Sequence, residues 1–355
     1  MLKSTTVFAA TLLGAAALTQ PAAAQDFTTA TFGGTTIWVG GGVQFLSLPD
    51  INFTAKRDKN GNITKQTNSH KDFLDAGGAI GGGLETALGN WGGFRVSGSV
   101  KGFWSNVEDD HTTKCQGTDH CVVLDPNGGS GAVGSYLRTK TERDADYWGA
   151  TAELKFATGA PQEVKPQIYR NDYFIAGFDV RGIDQQNRLK GVQGPLDVFT
   201  YNETLDTTYT GGYIGFGGEY SFGFIPGVKN VGGIYDSLGL RTFLNATAGL
   251  YNAETDYRGR FDYKFIPSPT SKVSRSDDDL AFIGTVSLET RKQIGDRTSL
   301  SLWTDYEYIS SVPQMKYAGP NGPTRIDSDS VFATRTMLRL NIGLGSQQLY
   351  ADGYY

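Results

Sequence analysis

The chain has 355 residues and a net charge of −5, with 47 Gly, 20 Phe and 18 Tyr against 5 Trp. The acidic balance excludes a nucleic-acid binder, which needs a basic face. Glycine punctuating nearly every segment, among aromatic and β-branched residues, favours strands and tight turns over helices.

The N-terminus reads as a secretory leader. Lys3 supplies a positive start, Val7 to Leu18 form an apolar stretch, and Gln20-Pro21 leads into Ala22-Ala23-Ala24 before Gln25. That order fits a cleaved signal peptide over 1–24, and the stretch is too short for a membrane-spanning helix, which needs roughly 20 apolar residues. Residues 25–355 are then expected to form a single domain.

Beyond the leader a period-two alternation recurs. It starts at Ile37-Trp38-Val39-Gly40-Gly41-Gly42-Val43-Gln44-Phe45 and is clean in Phe94-Arg95-Val96-Ser97-Gly98-Ser99-Val100-Lys101, with Phe, Val, Gly and Val on one face and Arg, Ser, Ser and Lys on the other. It returns at Trp148 to Phe156, Phe282 to Leu288, Leu300 to Glu307 and Leu338 to Leu344. Ten segments follow this pattern, near 35–48, 76–88, 93–107, 143–157, 168–182, 205–222, 237–257, 279–293, 298–311 and 329–344. Each is long enough to cross a membrane as a tilted strand of about 9–11 residues. The connectors tend to alternate between long (49–75, 108–142, 183–204, 258–278, 312–328) and short (89–92, 158–167, 295–297), with an intermediate one at 223–236. Long outer loops and short periplasmic turns produce that pattern in a membrane barrel. The expected fold is therefore all-β, a transmembrane antiparallel β-barrel of about ten strands, with eight or twelve as alternatives. A soluble β-sandwich would have strands of about five or six residues, half the length seen here.

Alternation also assigns faces. With Phe, Leu and Val towards lipid, the inward ionisable set is Glu85, Arg95, Lys101, Glu153, Lys155, Asp179, Arg181, Glu219, Arg241, Glu289, Arg291, Asp305, Glu307, Arg335 and Arg339. Acids and bases nearly cancel, so the set can pair internally and fill a narrow lumen. Inward Gly40, Gly42, Ser97, Ser99, Gly215 and Gly217 leave room for a small passage. A slip of register at Gly211-Gly212 or Gly232-Gly233 would invert the two faces. Trp91, Trp104, Tyr306 and Tyr308, with Tyr147, Tyr169, Tyr251 and Tyr257, sit near segment ends and are candidates for aromatic girdles at the headgroup level.

The loops hold the remaining chemistry. Asn60-Gly61 and Asp125-Pro126-Asn127-Gly128-Gly129 read as turns, and Asp277-Asp278-Asp279 as a solvated acidic run able to recruit divalent cations. Cys115 and Cys121 are expected to form a disulfide in the oxidising compartment that a secreted chain meets. His111 and His120 lie near them, but the spacing matches no zinc pattern, so neither metal nor cofactor is expected.

Taken together, the Ala-rich leader, the Gly- and aromatic-rich amphipathic segments and the alternating connectors resemble Gram-negative outer-membrane β-barrel proteins of the opacity-protein and small-porin style. The resemblance spans the mature chain and is one of pattern. The end departs from it, because such proteins typically close on a terminal Phe in the last strand, whereas here Gly345-Ser346-Gln347-Gln348 runs on to Tyr354-Tyr355. It implies a place in the cell outer membrane, with lipid and lipopolysaccharide as neighbours. The expected function is porin-like passage of small solutes through a narrow charged lumen. Arg95, Lys101, Arg335 and Arg339, opposed by Glu289, Asp305 and Glu307, would set the constriction. The alternative is a surface-interaction barrel whose outer loops bind an external or host partner. An enzyme is not expected. Ser69-His70 are mere sequence neighbours, no Gly-x-Ser-x-Gly occurs, and Asp109-Asp110-His111 would supply only half of the Asp/Asp and Asp/His constellation of ten-stranded outer-membrane aspartyl proteases.

Overall fold

The computed structural model describes residues 34–51, 53–57, 62–67, 74–114, 120–124, 130–132, 137–158, 162–165, 168–220, 240–264, 270–295, 297–317 and 324–344. The leader, His70, Cys115, Gly232-Gly233 and the tail over 345–355 lie outside these residues, as do the side chains of Cys121, His120 and Tyr169. The disulfide expectation therefore falls there too.

The strands are β1 (Thr35–Leu46), β2 (Thr54–Arg57), β3 (Ile63–Thr67), β4 (Asp75–Trp91), β5 (Phe94–Lys114), β6 (His120–Leu124), β7 (Ser130–Ala132), β8 (Leu137–Thr158), β9 (Gln162–Lys165), β10 (Ile168–Gln193), β11 (Leu196–Tyr220), β12 (Leu240–Tyr263), β13 (Ser271–Gly295), β14 (Thr298–Lys316) and β15 (Arg325–Leu344). Ten of them pair in the order β1-β4-β5-β8-β10-β11-β12-β13-β14-β15, and β15 returns to β1 antiparallel, so the ring closes without a free edge. Closure is what a sheet needs to span lipid, because every backbone polar group is then satisfied internally. The remaining strands form a small sheet, β3-β2-β6-β7, with β9 added beside β10.

At one end the ring is joined by tight turns. Trp91 pairs with Phe94 across Gly92 and Gly93, whose φ of 56° and 87° are the left-handed values a type I′ turn demands. Both ends of the ring sequence, Thr35 and Leu344, lie paired at this end.

The strands run further outward than the sequence suggests. The connector expected over 183–204 is strand instead, with β10 reaching Gln193 and β11 starting at Leu196. Gly194 at φ 60° followed by Pro195 makes the turn, the glycine-first pattern of a type II′ hairpin. The other expected loops shrink similarly, β12 ending at Tyr263 and β13 starting at Ser271. The reason is that the alternation reverses its chemistry along the strand. In the inner half, Phe174, Phe178, Ile214, Phe216, Leu250, Leu280, Phe282, Leu338 and Leu340 are exposed on the outside while charged residues are buried inside. In the outer half of β11, Phe199, Tyr201, Leu205 and Tyr209 are buried inside while Thr200, Asn202, Thr204 and Asp206 face out. The first arrangement suits lipid and the second suits water. Gly211 and Gly212 pair regularly with Asp179 and Phe178, so no slip occurs there. Bulges fall at Ala87/Gly89, Gly191/Val192, Gln293/Gly295 and Ile309/Val312 instead.

Just above the apolar belt the outer wall carries a row of like charges. Asp146 lies opposite Asp184, Asp184 opposite Asp206, and Asp206 opposite Asp256 across three neighbouring strand pairs. Like charges directly opposed weaken a sheet. Asp184→Asn, which removes one charge from two such pairs, is expected to stabilise the barrel by roughly 0.2–1 kcal/mol. Thermal unfolding at low salt checks this, and the gain should shrink in high salt.

Candidate functional site

The site that the fold builds is the lumen, filled in successive layers. Nearest the tight turns, Lys155 pairs with Glu85 at 3.1 Å and Glu153 at 3.9 Å, Lys101 with Glu153 at 3.3 Å, Arg241 with Glu219 at 3.4 Å and Arg291 with Glu289 at 2.9 Å. Arg95 donates to Asn171 at 3.3 Å. Deeper in, Arg335 pairs with Asp305 at 2.9 Å and Arg339 approaches Glu289 at 3.9 Å. Arg181 bridges Asp179 and Glu307, and Tyr147 donates to Glu307 as well. Among the paired residues Glu153, Asp179, Arg181, Glu289, Asp305, Glu307, Arg335 and Arg339 are all buried.

Two apolar layers close the outer half. The lower contains Leu46, Val107, Tyr147, Ile183, Tyr209, Tyr251, Ile283, Ile309 and Val331. The upper is built around Phe53, which enters from the segment before β2 and stacks on Tyr201 at 4.7 Å and meets Phe199 at 5.7 Å and Tyr317 edge-on at 5.6 Å. Val122, Val123 and Leu124 of β6 are fully buried in the same cluster, so the β2/β6 sheet caps the mouth from within.

A polar shelf is buried between the two apolar layers. Arg143 donates to the Pro49 carbonyl at 2.6 Å and lies 3.7 Å from Asp75. Glu203 accepts from Tyr317 at 2.6 Å, Tyr201 at 2.9 Å and Asn187 at 2.9 Å. Glu203 stands well above the apolar belt, and burial raises its carboxyl above the ordinary range against the pull of those donors. A carboxyl whose folded pKa is raised holds its proton more tightly in the folded state, so stability falls as pH climbs from the unfolded value through the folded one. Glu203→Gln is expected to flatten that pH slope while leaving the cap in place. Unfolding midpoints across pH 4 to 8, wild type against variant, measure this, and parallel curves would contradict it.

On the outer surface Trp91, Trp104 and Tyr306 are exposed, and Tyr308 packs between Phe282 and Phe332. Tyr147, Tyr251 and Tyr257, read above as girdle candidates, are instead fully buried inside the ring. Their neighbours explain this, for in Tyr251-Asn252-Ala253-Glu254-Thr255-Asp256-Tyr257 the polar residues take the outer face. Trp148, which was not among the girdle candidates, lies directly beside Trp104 and donates to Asp184 at 3.1 Å. Asp110 is held outside the wall by Lys140 at 3.3 Å. The many short apolar stretches inside presumed loops were the available signal for the cap, but Phe53 and Val122-Val123-Leu124 have no periodicity long enough to place them.

No family model and no curated protein matches the sequence. Among solved structures, the chain is similar to the outer-membrane protease OmpT of Escherichia coli, with 10% identity and a TM-score of 0.46 over 89% of this chain and 99% of that one. It is also similar to a FadL homologue of Pseudomonas aeruginosa, with 9% identity and a TM-score of 0.26 over 87% and 90%. Likeness of this degree bears on neither activity nor substrate. The closed antiparallel ring, its apolar outer belt and its charged interior are those of an outer-membrane β-barrel.

Proposed function

We propose that the protein is a closed outer-membrane barrel that works at its outer surface, binding an external partner through the rim and loops that the ring presents. The observation that supports this best is the filled lumen, in which two apolar layers above a network of buried ion pairs occupy the width that a solute would need. Eight strands leave room only for side chains and sixteen leave a channel, and ten lies near the filled end. Lipid and lipopolysaccharide are the surroundings of the belt. The reading is non-enzymatic.

Passive passage of small solutes through a narrow charged lumen is the second reading. The polar, ion-paired inner half favours it, and it requires both apolar layers to part. The test is single-channel recording of the refolded protein in a planar bilayer, with folding confirmed independently. Silence is expected. Discrete, reproducible steps would overturn the closed-barrel reading, and altered ion selectivity in Arg335→Glu would then locate the passage.

A further inference from the structure

The ring is laddered all round in its inner half, and one strand pair parts further out. β13 and β14 pair from Gly295↔Thr298 only as far as Ile283↔Ile309. Both strands run on, β13 over 271–282 and β14 over 310–316, and among the described residues no backbone ladder joins these two stretches. β12 still pairs with β13 over that length, and β15 with β14, so each stretch is held from its far side. Two features turn β14 away: the register shift between Ile309 and Val312, and Pro313, which has no N–H to give. Asp277 and Asp279 show that the wall is open there. Their partners Thr255 and Ala253, at the same height on β12, face the lumen and are buried, whereas both aspartates are exposed.

Side chains stand in for the missing ladder. The Phe282 N–H donates to the Ser310 hydroxyl at 2.8 Å, and the Ser311 hydroxyl donates to Asp279 at 2.7 Å. The carbonyls of Ser311 and Pro313 accept from across the lumen, from Tyr209 at 2.8 Å and Gln185 at 3.2 Å. Such contacts can part without breaking a strand pair. A barrel gains by leaving no edge, yet here two edges stand at the rim of the belt. The seam is apolar on both sides where it begins. Outside are Leu280, Phe282 and Phe332, exposed on the belt, and inside are Ala281, Ile283, Ile309 and Val312 of the lower apolar layer.

We propose that this seam is a lateral entry, through which one alkyl chain on a cationic head passes from the outer leaflet into the lower apolar layer. The chain is slender because side-chain bonds still span the gap. The head is cationic because Asp277, Asp278 and Asp279 stand at the opening, while Arg275, two residues before them, is turned to the Thr324 carbonyl at 2.7 Å. Sideways entry goes beyond the closed-barrel reading without opposing it, since the ion pairs beneath still fill the inner lumen.

The test is photolabelling of the full-length protein, refolded in phospholipid nanodiscs, by hexadecylamine carrying a diazirine at its chain end. Mass spectrometry maps the adducts. They are expected on the inward residues Tyr251, Ile283, Ile309 and Val312 as well as on the outward Leu280 and Phe282. Hexadecanoic acid with the same chain-end group is expected to label the inward set roughly tenfold less, because its charge has the sign of the aspartates. Adducts confined to outward residues would overturn the entry, and equal inward labelling by amine and acid would overturn the assignment of the head. A disulfide joining Asp279→Cys to Ser311→Cys is expected to abolish inward labelling, and its reduction to restore it. Inward labelling that survives this lock would place the entry elsewhere and overturn the seam. Wild type taken through the same oxidation and reduction controls for Cys115 and Cys121. Its labelling decides the matter even if the double variant does not fold. The bilayer recording is a separate question, because a barrel closed to ions can admit the chain or exclude it.

Discussion

Arg181→Met is expected to destabilise the refolded barrel by about 3–5 kcal/mol, because it leaves two carboxylates buried without their cation. Arg181 stands on β10 and bonds both Asp179 beside it and Glu307 on β14. Those two strands are four places apart around the ring, so the guanidinium ties one wall to a distant one through the lumen. Asp179 also accepts from Thr151 at 3.2 Å and Tyr251 at 3.3 Å, and Glu307 from Thr285 at 3.2 Å. These neutral donors do not replace a charge. The exposed Lys140–Glu142 pair at 2.6 Å sets the contrast, because an ion pair in water contributes only about 0–1 kcal/mol. The triple variant Arg181→Met, Asp179→Asn, Glu307→Gln should recover most of the loss, since exchanging a whole buried ionic group for neutral residues is often close to neutral. Urea unfolding of wild type, the single variant and the triple variant measures it. A single-variant loss below about 1 kcal/mol, the range of surface pairs, would mean that water reaches the network and that the inner lumen is wet.

The ring was legible because its signal is local. Val39, Val43, Val100 and Phe282 alternate with small or charged residues at period two, and each strand announces itself without its neighbours. The outer halves were not, because there the polar face is outside, and Thr200, Asn202 and Thr204 read as loop. Only their buried neighbours, Tyr201 and Leu205, mark strand. The inward charges could be proposed from register alone. Their pairing could not, since Arg181 and Glu307 are 126 residues apart and meet only when β15 closes on β1. The cap was illegible for the same reason, as Phe53 is a single aromatic in a hydrophilic stretch until Tyr201, Phe261 and Tyr317 surround it.

Phe53→Ala should release that cap while leaving the ring intact. Its side chain is fully buried against three other aromatic rings and one stacked tyrosine, and truncating such a phenylalanine costs about 3–5 kcal/mol. The small β2/β6 sheet is short, with β2 four residues and β6 five, and Phe53 is the aromatic side chain that its segment brings to the cluster beside Ala55, Val122, Val123 and Leu124. A two- or four-strand sheet of that size is marginal without packing beneath it. The ring loses the contacts of Phe199, Tyr201, Phe261 and Tyr317 with Phe53 but keeps its backbone ladders and the lower apolar layer, which does not use Phe53. Limited proteolysis should therefore cut within β2 and β6 in the variant and spare them in wild type, while the ring stays folded and loses less stability than the cap. Conductance decides what the cap is for. A bilayer that stays silent after the cap is cleaved places the seal in the layer of Leu46, Tyr209, Tyr251 and Ile309 and in the ion pairs beneath it, as a closed barrel requires. Steps that appear only when Phe53 is removed would make the cap a gate, and the charged inner lumen the path it controls.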